Sequence, residues 1–111
     1  MELGLEGFRV EAAVDTGFAG EVLVPFSLFR SLGLLSSLSE DEFHLVLPDG
    51  RRIGLYSARG RVKLGEDDIV SYIHSSPQVE KKVIGRSFLS SFVAVLDGGE
   101  EELTVRKALA H

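Results

Sequence analysis

The chain has 111 residues, of which 44% are hydrophobic and 26% are charged, and it contains no cysteine. This composition is typical of one soluble globular domain and excludes disulfides and thiolate chemistry. The net charge of −5 argues against nucleic acid as the main partner, because phosphate binding needs a basic surface. No apolar run is long enough to cross a membrane, and the first residues do not resemble a signal peptide. We therefore expect a cytoplasmic protein without a membrane partner.

The first third of the chain is predicted to form a hairpin, a short strand and one short helix. A Glu-Gly turn signal at residues 6–7 separates two apolar runs, and the second strand of this hairpin is expected at residues 8–14. The strand "EVLVP" ends at Pro25, which lacks the N–H that a central strand needs. Apolar residues at helical spacing in "FSLFRSLGLL" predict a helix that ends near Gly33.

The rest of the chain is dominated by short strands. A Pro-Asp-Gly turn at residues 48–50 predicts a second hairpin over residues 44–56, and two more strands are expected around a turn at Gly65. "KVIGRSFLSSF" predicts a strand end, a glycine that lets another backbone segment pass close by, and a short helical turn. "VAVLDGGEEELTVRKAL" predicts a closing hairpin through Gly98-Gly99. No strand–long helix–strand unit is present, so the pattern predicts a mainly β domain, a small barrel or sandwich.

The sharpest chemical feature is Asp15-Thr16-Gly17, within "AAVDTGFAGEVLVP". One interpretation is an ordinary turn, in which the Asp15 side chain bonds to the backbone and Gly17 adopts a positive φ. The flanking residues are apolar, however, whereas a solvated turn is polar on both sides, so we expect Asp15 to lie in poorly solvated surroundings. Two facing carboxylates that share a proton divide into one acid and one base. A twofold axis would supply the second carboxylate from a second copy.

Together with the later "VIGRSFL", the segment "AAVDTGFAG" resembles the retropepsin-like aspartic proteases, half-sized relatives of pepsin that work as homodimers. It is more similar to their non-viral, bacterial and archaeal branch than to the viral enzymes. The order of hairpins, motif and strands is also similar, and the resemblance covers residues 5–97. It implies that residues 1–111 form a single protease domain, a small closed β-barrel of the retropepsin type with one or two short helices, which assembles as a homodimer.

The resemblance also implies roles for individual residues. Asp15 would be the catalytic carboxylate of an aspartic endopeptidase that hydrolyses extended polypeptides without a cofactor or metal. Thr16 would bond to its counterpart across the dimer, and Gly17 would bring its backbone close to the substrate. The hairpin over residues 44–56 would be a flap that closes over the peptide. The residues assigned to substrate binding are Phe18, Ala19, Pro48, Asp49 and Gly50.

The sequence departs from the family pattern in three places. Phe18 stands where many members have alanine or serine, and its ring would narrow the pocket beside Asp15 or shape it for small side chains. The acidic residues that pair with the Gly-Arg arginine in viral enzymes are absent, which leaves Glu21 as the nearest candidate partner for Arg86. The chain also has a tail in place of the viral N-terminal strand. Residues 103–107 of this tail are expected to form a strand that closes the barrel or contributes to the dimer sheet.

Other features leave alternatives open. A basic stripe is either a solvated face or a surface that attracts acidic peptides or the partner's glutamates at 100–102; it comprises Arg51, Arg52, Arg59, Arg61 and Lys63. The three histidines lack metal-ligand spacing, and the serine pairs lack the context of a nucleophile. The alternative function is a non-catalytic dimerisation or peptide-binding module of the same fold. A third possibility is an esterase or peptidase of narrow scope, with a pocket restricted by Phe18.

Overall fold

The computed structural model describes the backbone of residues 1–97 and the side chains of residues 1–92. Short strands occupy most of this part of the chain. The strands are β1 (Glu2–Leu5), β2 (Phe8–Glu11), β3 (Ala13–Val14), β4 (Val22–Pro25), β5 (Phe43–Val46), β6 (Arg52–Leu64), β7 (Asp67–Ser76) and β8 (Val83–Ile84). The helices are α1 (Phe26–Ser31) and α2 (Arg86–Asp97), with a 3₁₀ turn at Leu34–Ser37 between α1 and β5.

All eight strands belong to one sheet, in the order β2-β1-β6-β7-β4-β8-β3, with β5 paired to β6. Two pairs are parallel, β3 with β8 and β4 with β7, and the others are antiparallel. The end strands β2 and β3 are separated in the chain by Ala12 alone, whose N–H donates to the Met1 carbonyl at 2.8 Å. The sheet is therefore a nearly closed barrel, and the expectation of a mainly β domain is confirmed.

Turn residues set the predicted hairpins. Gly7 and Gly50 adopt φ values of 89° and 87°, which a side chain would strain, and each lies in the turn between two antiparallel strands. The hairpins expected around residues 6–7, 48–50 and 65 are all confirmed. The helix predicted before Gly33 is α1, and Gly33 itself is left-handed, with φ 75°.

The core lies inside the barrel and under the two helices. Burial of apolar side chains from both sources is the main stabilising contribution that this fold offers. α2 contributes Phe88 and Phe92, whose rings stack with centroids 6.0 Å apart. The most fully buried apolar side chains are Leu3, Leu5, Val22, Val24, Phe29, Val62, Ile73, Ile84 and Phe88. Packing of α2 against this core fixes the junction between β8 and α2, which supports the loop that follows β3.

Three sequence-based expectations differ from the structure. The single strand expected at residues 8–14 is divided into β2 and β3, which pair with β1 and β8 respectively. The predicted short helical turn after Gly85 is a helix of 12 residues, so the strand expected at its C-terminal end, from residue 93, is wrong. Phe88 and Phe92 are one helical turn apart, and their burial favours continuation of the helix over the β propensity of "VAV". The second strand of the hairpin expected at residues 44–56 and the strand expected after it are one continuous β6 of 13 residues. The Gly98-Gly99 turn and the strand expected at residues 103–107 lie outside the described residues.

None of the described helices is both long and apolar enough to cross a lipid bilayer.

Candidate active site

The Asp15-Thr16-Gly17 loop is anchored to β8 by main-chain hydrogen bonds. β3 runs parallel to β8, and the Asp15 N–H continues this pairing by donating to the Ile84 carbonyl at 2.9 Å. The Phe18 N–H donates back to the Asp15 carbonyl at 3.1 Å, and the Gly17 N–H donates to Asp15 Oδ1 at 2.9 Å. The carboxylate is therefore held by its own loop, in a position that the barrel determines.

The next segment, residues 18–21, lies directly across the β8–α2 junction. The N–H groups of Gly85, Arg86 and Ser87 donate to carbonyls of this segment at 2.7, 2.9 and 3.1 Å, so the loop satisfies donors that the start of α2 would otherwise leave unpaired. A Cβ on Gly85 would lie 2.3 Å from the Gly20 carbonyl oxygen. The expectation that this glycine allows another backbone segment to pass closely is confirmed.

Replacing Gly85 by alanine is expected to destabilise the fold by about 2–3 kcal/mol, because the added methyl group overlaps backbone atoms that cannot move independently. Urea unfolding monitored by circular dichroism measures this loss. Gly54→Ala is the matched control, since a Cβ at Gly54 meets no atom within 4 Å. If both variants unfold at the urea concentration of the wild type, the loop does not depend on the close approach at Gly85.

Asp15 is exposed in the single chain, so the expectation of poorly solvated surroundings is wrong for one subunit. β3 is the last strand in the sheet order, and residues 15–17 that follow it are all exposed. Val14 beside the acid is 41% exposed. The bond from the Gly17 N–H is the one that the turn interpretation expects, but Gly17 is not among the residues with positive φ. A Cβ there would instead lie 3.1 Å from Asp15 Oδ1.

The hairpin of β5 and β6 covers a groove of about 1080 Å³. Its residues alternate, so that Phe43, Leu45, Ile53 and Leu55 are half-buried on the inner face. The opposite wall of the groove is the loop between β7 and β8. The apolar lining residues are Leu23, Leu45, Leu47, Ile53, Leu55, Val79 and Val83, and the charged ones are Arg51, Arg52, Glu80 and Lys81. This shape suits an extended chain with apolar side chains.

The tip of the hairpin is stabilised locally. The Asp49 carboxylate accepts hydrogen bonds from the Arg51 N–H at 3.0 Å and from Arg51 Nε at 2.7 Å, and these bonds, the backbone one first, lower the pKa of Asp49. Pro48, Asp49 and Gly50 are exposed and are not part of the lining of the groove. Their role in substrate binding stays a prediction.

A second, smaller cavity of about 160 Å³ joins the Asp15 loop to the base of the hairpin. Phe18 and Ala19, both predicted to contact substrate, line it on one side, and β5 lines it on the other. The Phe18 ring lies over Gly20, where an added Cβ would be 2.4 Å from Cζ. Sequence analysis did not identify His74, which also lines this cavity and is only 2% exposed.

No family model matches the chain. An uncharacterized protein of Archaeoglobus fulgidus is 32% identical over 94 residues, which cover 83% of this chain and 73% of that protein. The chain belongs to the same family as this archaeal protein. Three solved structures share its fold: EIAV protease complexed with the inhibitor HBY-793, a retropepsin-like aspartic protease from Rickettsia conorii, and Simian Foamy Virus (mac) protease.

The structural similarity extends over most of each chain. The EIAV protease has a TM-score of 0.63 and 13% identity, covering 83% of this chain and 85% of that chain. The Rickettsia protein has a TM-score of 0.62 and 18% identity, covering 81% of this chain and 68% of that chain. The foamy virus protease has a TM-score of 0.57 and 14% identity, covering 83% and 92%. The fold of this chain is that of the retropepsin-like aspartic proteases.

In this retropepsin-like fold Glu21 does not serve as the partner of Arg86. The Glu21 carboxylate accepts hydrogen bonds from the Ser71 hydroxyl and, at 2.8 Å, from the Tyr72 N–H. Among the side chains of residues 1–92, no ion pair joins Glu21 to Arg86. Glu21 therefore links the end of the active-site loop to β7.

The basic stripe read from the sequence is divided between two surfaces. Arg51 and Arg52 border the groove under the hairpin, whereas Arg61 and Lys63 line a separate depression of about 540 Å³ together with Arg9. Arg59 lies over the Tyr72 ring, with 5.4 Å between Cζ and the ring centroid. Of the five residues of the basic stripe, Arg51 and Arg52 are the ones that a peptide in the groove would contact.

Proposed function

We propose that this protein is an aspartic endopeptidase whose active site forms between two identical subunits, each of which contributes Asp15. The observation that carries the proposal is the Asp15-Thr16-Gly17 loop, which β8 and the Gly85 junction hold in place within a retropepsin-like fold. Peptide hydrolysis needs a base to activate water and an acid to protonate the carbonyl oxygen. Two carboxyl groups that share one proton provide both.

A second copy of the chain is part of the proposal because one subunit offers a single carboxylate in this loop. Ala13 and Val14 are exposed beside Asp15, at the open edge of the sheet. A twofold partner placed there removes apolar surface from water and brings the two Asp15 side chains together. Thr16 then lies beside its counterpart, where hydroxyl groups can hold the two loops in register.

In the proposed reaction the ionised Asp15 removes a proton from a water molecule, whose oxygen attacks the peptide carbonyl carbon. The protonated Asp15 of the other subunit donates its proton to the carbonyl oxygen, which gives a tetrahedral diol. The first carboxyl then protonates the amide nitrogen while the second takes a proton from the diol. The C–N bond breaks, an amine and a carboxylic acid leave, and the pair again holds one proton.

The groove under the hairpin is the proposed binding site for the polypeptide. An extended peptide can pair with a strand edge, while alternate side chains enter the apolar lining. Closure of the hairpin over the peptide would exclude water from the reacting bond. The groove volume and its apolar walls support a substrate with large hydrophobic side chains at the positions that enter the groove.

The test is cleavage of an unfolded protein by the full chain across pH 3–7, with fragments identified by mass spectrometry. We expect cleavage at internal bonds with an optimum on the acidic side of neutrality, because one carboxyl must be protonated and the other ionised. A statine-type inhibitor should abolish cleavage, since its hydroxyl-bearing carbon imitates the tetrahedral intermediate. Cleavage that persists at saturating inhibitor would contradict the proposed mechanism.

A non-catalytic peptide-binding or dimerisation module is the second candidate. The exposure of Asp15 and its bond from the Gly17 N–H are also what an ordinary turn has. A chain that sediments as a dimer, binds peptides and leaves every substrate intact at all pH values would establish this alternative.

A further inference from the structure

His74 is a buried histidine between the active-site loop and the hairpin. The rings of Phe18, Phe43 and Tyr72 surround it, with centroid distances of 6.4, 4.8 and 6.0 Å. Its Nδ1 lies 2.6 Å from the Ser57 hydroxyl oxygen. Its Nε2 has no hydrogen-bond partner among the side chains and backbone of residues 1–92. A buried polar atom without a partner is costly, and in a native structure it calls for an explanation, such as a functional role or a bound water molecule or ion.

The ring contributes to the wall of the 160 Å³ cavity beside the Asp15 loop. The other lining side chains are apolar, apart from His44, which lies on the solvent side of β5. Within residues 17–20 of the lining, the N–H groups of Gly17 and Phe18 bond to Asp15, and the carbonyls of residues 18–20 accept bonds from the β8–α2 junction. His74 is therefore the buried hydrogen-bonding side chain that this cavity offers.

The imidazole of His74 is neutral over most of the pH range in which cleavage is tested. Burial lowers the pKa of His74 from about 6.5 to about 4, so one ring nitrogen carries a proton and the other accepts one. Ser57 can donate to Nδ1 or accept from it, which leaves Nε2 as a donor or as an acceptor. A hydroxyl or carboxamide group contains both functions and fits either tautomer. A charged side chain would lose its hydration in an apolar cavity.

We propose that this cavity receives one side chain of the bound peptide, and that His74 Nε2 selects a small hydroxyl or carboxamide side chain over an apolar one of equal size. The proposal rests on the peptidase function proposed above. It makes His74 a specificity-determining residue, because the nitrogen contacts the substrate side chain directly. Gly17 lines the same cavity and donates to the Asp15 carboxylate, so the selected side chain lies close to the cleaved bond.

The test is equilibrium binding, measured by fluorescence anisotropy, with the full-length Asp15→Asn variant so that peptides stay intact. Peptides that fit the groove are compared in matched pairs, threonine against valine and asparagine against leucine, at each position. At one position we expect the polar member to bind about tenfold more tightly, the order of one hydrogen bond to an otherwise unpaired buried group. His74→Leu in the same background should abolish or reverse this preference.

The control is Ser31→Leu, which introduces the same side chain at an exposed position outside the linings of the groove and the cavity and should keep the preference. A second measurement does not depend on the folding of His74→Leu: the ¹⁵N chemical shift of His74 Nε2 should change on binding the threonine peptide and not the valine peptide. Equal affinities of the polar and apolar members of every peptide pair are the result expected if a water molecule satisfies His74 Nε2. This result would contradict the proposed role of the cavity but would leave the peptidase proposal intact. Binding of none of the peptides overturns both.

Discussion

Asp15→Asn is expected to lower the rate of peptide cleavage by about 10³- to 10⁴-fold, because the amide can neither take a proton from water nor share one across the twofold axis. The fold should be unaffected, since Asp15 is exposed and asparagine can accept the same bond from the Gly17 N–H. Initial rates at the pH optimum measure the loss. Activity within tenfold of the wild type would show that this carboxylate is not the general base or acid.

The matched control is Asp67→Asn, which makes the same change of charge and shape at another exposed aspartate. Asp67 begins β7 opposite Leu64, at the far end of the β6–β7 hairpin from the groove. We expect its rate and its urea unfolding to equal those of the wild type. A comparable loss in both variants would point to an effect of net charge and not to chemistry at Asp15.

Mixing wild-type and Asp15→Asn chains tests whether the two carboxylates come from different subunits. After subunit exchange in an equal mixture, about one quarter of the dimers contain two wild-type chains. If both carboxylates are needed, activity falls to about a quarter of that of the same total concentration of wild type. A value near one half would mean that each chain acts alone, which would contradict the shared site.

Local signals were sufficient to predict most of the fold. Each turn between consecutive antiparallel strands contains a glycine with a positive φ, such as Gly50. The need for this glycine depends only on the geometry of the turn itself, so it can be predicted from a few neighbouring residues. The continuation of α2 was missed because "VAVLD" has β propensity, while the burial of Phe88 and Phe92 that favours the helix depends on tertiary packing. Intrinsic propensity determines the secondary structure where tertiary packing is weak, and tertiary packing determines it elsewhere.

The candidate site was only partly predictable. The Asp15 motif and the close backbone approach at Gly85 could be predicted from the sequence, because each depends on a residue type that few other positions in a fold require. His74 was not visible: Ile69, Ser71 and Ile73 alternate inward along β7, which places His74 on the opposite face of the strand. That face is covered by Phe43 of the β5–β6 hairpin and by Phe18 of the loop after β3. Burial of this kind depends on segments distant in sequence.

The burial of His74 has a consequence for stability in acid. Its folded pKa of about 4 lies below the value of about 6.5 expected in the unfolded chain, so the unfolded state binds more protons between these two pH values. The contribution of His74 to stability should be constant above about pH 6.5 and should fall as the pH drops from about 6.5 to about 4. The total loss from this one group is about 3 kcal/mol, which is 1.36 kcal/mol for each unit of pKa difference.

Urea unfolding at pH 7 and pH 4, at one protein concentration, measures this loss. The comparison is with the double variant Ser57→Ala, His74→Leu, which removes the titrating ring together with its hydroxyl partner. The variant should lose about 3 kcal/mol less than the wild type, and carboxylates that titrate in both proteins cancel in the difference. Equal losses would show that folding does not lower the pKa of His74. Activity of the proposed pair of carboxyl groups needs one of them protonated and is favoured by acidic pH, whereas protonation of His74 destabilises the fold in acid. The activity optimum should therefore lie above the pH at which His74 is protonated.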